Sequence, residues 1–138
     1  MKMTGIANLL LRLALAAGFL SAVASRLNLW GNQSSGWTNF LHYTAQVNSF
    51  APKSFIPVIA ITSTILETGL GMLLLAGFKT NYAAYGAALL SLLFALAMTC
   101  SFGIKEPLDY SVFVFCAGAF LLATMPSHKW SIDQLLIH

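Results

Sequence analysis

The stretch ITSTILETGLGMLLLAG, residues 61–77, holds one ionisable side chain, Glu67, in the middle of an apolar run. With its flanks, from Phe55 to Phe78, it is long enough to form a helix that crosses the roughly 30 Å hydrocarbon core of a bilayer. A carboxylate at that depth is costly, so it faces a bundle interior and a partner rather than acyl chains. Composition identifies lipid as the solvent. Of 138 residues, 58% are hydrophobic and 8% charged, against about a quarter charged in soluble domains. Too few polar groups are present to cover a water-facing surface.

The net charge of +3 arises from 7 basic and 4 acidic residues scattered singly. No basic run interleaved with aromatics is present, so nucleic acid is not an expected partner. Cys100 and Cys116 stand apart with no C-x-x-C, and read as two small apolar side chains rather than an exchangeable dithiol.

Four apolar segments approach the length of a bilayer helix: about Ile6 to Ala24, Phe55 to Phe78, Tyr82 to Phe102 and Pro107 to Met125. The last reaches that length only with Pro107 in its first turn, where proline is tolerated. The polar breaks KTN (79–81) and GIKE (103–106) are short enough to force antiparallel neighbours. Small residues recur every fourth position at Ala83, Ala87, Ser91 and Ala95, at Ala14, Gly18 and Ala22, and at Ala60, Thr64 and Thr68. Such stripes let helices approach closely in lipid. The expected fold is all-α: one integral membrane four-helix bundle spanning residues 1–138. The first segment resembles a signal peptide, with AVA at 22–24, but Arg12 interrupts its apolar core and argues for a retained helix.

The connection 25–54 differs in character. Trp37, Phe40, Leu41, Thr44, Val47 and Phe50 follow a three-four rhythm. The spacing predicts a short amphipathic helix over 37–50, lying at the membrane interface with Trp30, Trp37, Phe40 and Tyr43 as interfacial aromatics. The basic residues divide almost evenly between the two ends of the spans, and Arg12 tips the balance towards cytoplasmic termini.

Two polar groupings can carry chemistry. Arg12 lies about 9 Å inside the first span, and Glu67 about 16 Å from the same interface. An intramembrane ion pair between Arg12 and Glu67 is therefore expected. Two readings of it stand: a register pin between helices, or the polar end of a ligand pocket or proton relay. At the other face Arg26, Ser101, Lys105, Glu106, Asp109, Tyr110 and Ser111 gather into a polar mouth beneath the loop aromatics. Asp109 and Glu106 also suit the positive end of a helix dipole there. His42, His128 and His138 all lie outside the spans, so a bis-histidine haem is not expected. No spacing points to a metal, a nucleotide loop or a nucleophile elbow. The chain alone is expected to bind no tightly held cofactor, with quinone the candidate ligand.

The segments LRLALAAGFLSAVASRLNLWG (11–31), ILETGLGMLLLAGFKT (65–80) and FGIKEPLDYSVF (102–113) resemble the DoxX family of small four-helix bacterial membrane proteins. The likeness extends over nearly the whole chain. Its most characteristic pieces are the Arg12 segment, the run from Glu67 through Gly71, and Pro107 through Ser111. The family includes the DoxD-type subunit of a thiosulfate:quinone oxidoreductase and other redox-associated membrane proteins. The resemblance implies a bacterial cytoplasmic-membrane protein acting as an accessory or membrane subunit of a quinone-linked redox system. The alternative is a non-catalytic scaffold, chaperone or assembly factor for membrane or periplasmic proteins. Whether the chain is itself catalytic stays open. Expected partners are the lipid bilayer and a redox protein, another client protein or a second copy of the chain.

Overall fold

The computed structural model describes residues 2–137, so what was expected of His138 lies outside it. Among the described residues, seven α-helices are found rather than four: α1 (Lys2–Arg26), α2 (Trp37–Val47), α3 (Ile56–Ala76), α4 (Thr80–Phe102), α5 (Lys105–Asp109), α6 (Val112–Thr124) and α7 (Ile132–Ile137). Three of them, α1, α4 and α3 with the 3-10 turn before it, are long and apolar enough to cross a bilayer. The chain is a helical membrane protein. Large apolar side chains such as Leu10, Ile65, Leu89 and Leu93 point outward, more than half exposed, as lipid-facing positions require.

The fourth expected span is corrected. Residues 107–125 do not form one helix. A break at Tyr110 and Ser111, with Ser111 at φ +57°, divides it into five-residue α5 and thirteen-residue α6. Pro107 is buried within α5. At about 1.5 Å per residue, α6 rises only about 20 Å.

Packing follows small residues, though not every stripe expected. On α4 the whole series Ala83, Ala87, Ser91 and Ala95 is buried, and this face meets α6 and α3. On α1 the buried face is instead Asn8, Arg12, Leu15, Phe19, Val23 and Arg26. Ala16 is also wholly buried and Ala14 is exposed, while Gly18 admits the Phe115 ring of α6, where a Cβ would come to 2.9 Å. On α3, Ala60, Glu67, Gly71 and Leu74 are buried, whereas Thr68 turns outward and donates to the Thr64 carbonyl.

The register of α1 against α3 positions everything polar. A Cβ at Gly71 would come within 2.9 Å of the Leu20 side chain, and one at Gly77 would overlap Arg12 Nη1. Arg26 Nη1 donates to Thr64 Oγ1 at 3.1 Å. These three meetings define a single antiparallel pairing in which Arg12 is level with the end of α3 and Arg26 with its middle. Gly77, at φ +73°, closes α3 in the left-handed conformation that glycine favours.

The amphipathic helix forms as expected but ends earlier, at Val47. Phe40, Thr44 and Val47 are its buried residues, while Phe50 is exposed beyond its end. Asn48 folds its amide onto the Thr44 carbonyl at 3.0 Å and Pro52 follows shortly after, so the helix cannot run on. It packs on α1, α3 and α4, across the end of the bundle that holds Arg26.

Candidate functional site

Arg26, the last residue of α1, turns its side chain back into the bundle instead of out to water. Its Nη1 donates to Glu67 Oε2 and to Thr64 Oγ1. Its guanidinium carbon sits 3.8 Å from the centre of the Phe40 ring. Both charges are almost wholly buried, at 6% exposure for Arg26 and 8% for Glu67. The expected pair between Arg12 and Glu67 is therefore corrected. Glu67 pairs with Arg26, and Arg12 is level with Gly77, ten residues further along α3, which is about 15 Å. The expectation set Ile6 level with Phe78, whereas α1 begins earlier and overshoots α3 at that end.

The ion pair forms one wall of a cavity of about 460 Å³ between α1, α2, α3, α4 and α6. Phe19, Leu90, Phe94 and Phe115 supply apolar walls, while Ser63, Ser91, Tyr43 and Tyr110 add hydroxyls. The Ser63 and Ser91 hydroxyls donate to carbonyls of their own helices, Ala60 and Ala87, leaving oxygen lone pairs for a donor in the cavity. Tyr43 is pushed above the ordinary phenol range by burial, with Tyr110 and Glu106 adding to the shift, so it stays a protonated donor near neutrality. Gly18 keeps the wall thin: a Cβ there would meet the Phe115 ring at 2.9 Å.

The polar mouth divides. Arg26 and Tyr110 line the cavity, and Glu106 lies close enough to influence Tyr43. Ser101 does something else, joining the end of α4 to the end of α2 by donating to the Val47 carbonyl and meeting Ser49 Oγ at 2.9 Å. Lys105 and Asp109 form an exposed pair at 2.5 Å, one turn apart on α5. Ser111 is the break residue between α5 and α6. Of the aromatics, Phe40 stacks on Arg26 and lies 5.5 Å from Trp37, and Tyr43 lies 6.4 Å from Phe94. Trp30 stays half exposed, its indole donating to the Ser21 carbonyl at 3.1 Å.

The opposite end holds a second polar cluster. Arg12, 1% exposed, donates to the carbonyls of Trp130 at 2.9 Å and Lys129 at 3.4 Å. Asn8 donates to the Ser127 carbonyl at 3.1 Å and meets His128 Nδ1 at 2.9 Å, while Asn81 meets His128 Nε2 at 3.2 Å. Asp133 receives the backbone N–H groups of Lys79 and Thr80 at 2.6 and 2.7 Å, capping the start of α4. Every one of these contacts ties the segment 125–137 to the bundle. This cluster went unread in the sequence. Its one signal was Asn8 standing a turn before Arg12, a second polar side chain on the same helix face.

Chemically, the two ends differ in what they leave available. The Arg26 end presents an ion pair and hydroxyls to a cavity of about 460 Å³, whereas the Arg12 end joins most of its polar groups to one another and to backbone, beside a cavity of about 390 Å³ lined by Asn81, His128 and Asp133. No family model, curated protein or solved structure matches this chain, so the site is read from its own chemistry.

Proposed function

We propose that this chain is a DoxX-like helical protein of the bacterial cytoplasmic membrane, with cytoplasmic termini, whose Arg26–Glu67 cavity holds the head of a quinone-type molecule. In this role it serves as an accessory or membrane subunit of a quinone-linked redox system. The observation that carries the reading is a buried ion pair facing an apolar cavity of about 460 Å³. The three segments that resemble the DoxX family also converge there: the first supplies Arg26, the second Glu67, and the third Tyr110 and Val112.

The residues fit a neutral head with carbonyl groups. Glu67 already balances the Arg26 charge, so an anionic head would find no net counter-charge at this depth. A neutral carbonyl oxygen needs only donors, and these are strongest where water is excluded. Arg26 and the Tyr43 phenol supply them, and the Phe40, Phe94 and Phe115 rings supply faces for a flat ring. A bound quinone would contribute reversible two-electron, two-proton chemistry. The chain's own part is to orient the head, exclude water and hold a proton at Tyr43.

The test is quenching of tryptophan fluorescence by duroquinone in the purified protein, since Trp37 lies beside Phe40. The Arg26→Gln, Glu67→Gln double variant removes both charges together and so leaves no lone ion. Binding by the native chain and a loss of about ten-fold or more in the double variant is expected, with the fold retained. Equal binding in both would sink the proposal. A protein partner captured equally by both, with no quinone bound by either, would favour the scaffold reading.

A further inference from the structure

A second cavity, of about 320 Å³, lies under α2 between α3 and α4. It shares Phe40, Tyr43, Ser63, Leu90 and Phe94 with the first. We propose that it is the subsite for the apolar tail of the same ligand and the lateral entrance from the membrane. This inference rests on the head-group reading above. It adds the class of molecule: a neutral ring carrying a flexible hydrocarbon chain.

The first support is continuity. The two cavities meet at one ring pair, Tyr43 from α2 and Phe94 from α4, with centroids 6.4 Å apart. A head beside Arg26 can therefore send a chain past side chains that already line both spaces.

The second is chemistry. Of the five polar side chains on the wall of the second cavity, three spend a donor on backbone: Thr44 on the Phe40 carbonyl, Asn48 on the Thr44 carbonyl and Ser63 on the Ala60 carbonyl. Tyr43, at the junction with the first cavity, and Thr62 are the other two. Leu66, Leu90, Leu93 and Ala97 supply much of the remaining, apolar lining. A space lined mainly by apolar side chains suits hydrocarbon.

The third is position. Its rim residues Val58, Leu66 and Leu93 are 61%, 46% and 55% exposed, on helices whose outer faces meet lipid. The opening therefore faces acyl chains rather than water. Size sets the length admitted. An apolar cavity of about 150 Å³ takes benzene, so this one takes roughly a dozen carbons, and a longer chain projects into the bilayer.

A chain entering from lipid gains little from the hydrophobic effect, because acyl tails are as apolar as the groove. Its contribution is fit, and filling the groove should act as a block. The experiment compares duroquinone, a head alone, with decylbenzoquinone, a head with a tail, in full-length protein in nanodiscs. Ala97 and Thr62 line the second cavity and not the first. Ala97→Phe, or Thr62→Phe if the former fails to fold, should leave duroquinone affinity unchanged and weaken decylbenzoquinone by roughly ten-fold. A decylbenzoquinone carrying a photoreactive diazirine at the chain end should label α3 between 58 and 66 or α4 between 93 and 97. Unchanged decylbenzoquinone affinity in both filled variants, or labelling confined to α1 and α6, overturns the tail subsite while the head site stands. Failure of duroquinone to bind the native chain overturns the head site, and the tail subsite with it.

Discussion

Arg12 and Arg26 sit fourteen residues apart on α1, on one buried face, and the two are held by different means. Arg26 meets a carboxylate, a threonine hydroxyl and an aromatic ring beside a cavity. Arg12 meets two backbone carbonyls of a returning segment. Among the described residues, its Nε and Nη1 are buried without a hydrogen-bond partner. A carboxylate partner cancels charge and leaves the surroundings apolar enough for a neutral ligand. Carbonyl partners cancel none, but they bind a loop wherever its backbone passes. The first end has the features of a site, and the second those of a clamp.

The largest expected effects fall on the ion pair. Glu67→Ala strands the Arg26 charge in a buried place and should cost about 3–5 kcal/mol. The Arg26→Gln, Glu67→Gln double variant should recover most of that loss. Thermal melts in detergent decide between them, and a double variant as unstable as Glu67→Ala would remove the contrast between the ends.

At the clamp, Gly77→Ala forces a methyl group into Arg12 Nη1 and Ser131 Cβ, at φ +73°. A loss exceeding about 2 kcal/mol is expected from left-handed strain and the clash together. Hydrogen exchange should rise first in residues 126–137. Faster exchange at α2 instead would show that the two ends are coupled.

A gentler probe of the clamp is pH. Burial holds His128 below the ordinary imidazole range, Arg12 reinforces the effect and Asp133 opposes it. The unfolded chain, titrating near 6.5, then binds more protons than the folded one. Stability contributed by neutral His128 is complete above that pH and is lost as pH falls through the lower folded value. Asp133 behaves in the same sense in a more acidic window. Burial alone would raise its carboxyl, but the N–H groups of Thr80 and Lys79 and the nearby His128 bring it below the usual range. Acidification from about pH 7.5 to 5.5 should loosen 126–137, and His128→Gln should flatten the dependence. The smallest effect belongs to Lys105→Ala. Its exposed pair with Asp109 should change stability by less than about 0.5 kcal/mol, and a larger change would assign α5 a role in closing the cavity.

Local rhythm made much of this architecture legible. The four-residue stripe on α4 needed only a helix to become a seam, and the spaced apolar residues from Trp37 to Val47 needed only a surface to lie on. Glu67 announced a buried partner by its cost in lipid. Its partner is not legible from depth, because depth depends on where the spans end, and those ends are set by packing. Arg26 was placed at a span terminus, where a long side chain ordinarily reaches towards water; here Phe40, Thr64 and Glu67 draw it inward. The segment after Met125 has no periodicity to read, so nothing in it advertised that Trp130 and Lys129 would supply the acceptors for Arg12.

The break at Ser111 has a mechanical consequence. With α6 rising about 20 Å against a hydrocarbon core of about 30 Å, the flank of the bundle formed by α6 is too short for the bilayer around it. A short flank is met by thinning of the leaflets, by snorkelling of its flanking residues or by association with a second protein, each at a fraction of a kcal/mol for each ångström. Whichever serves, the mismatch falls on one side of the bundle only. Lipid length becomes an adjustable load on α5 and α6, the two helices that bring Tyr110 and Phe115 to the cavity.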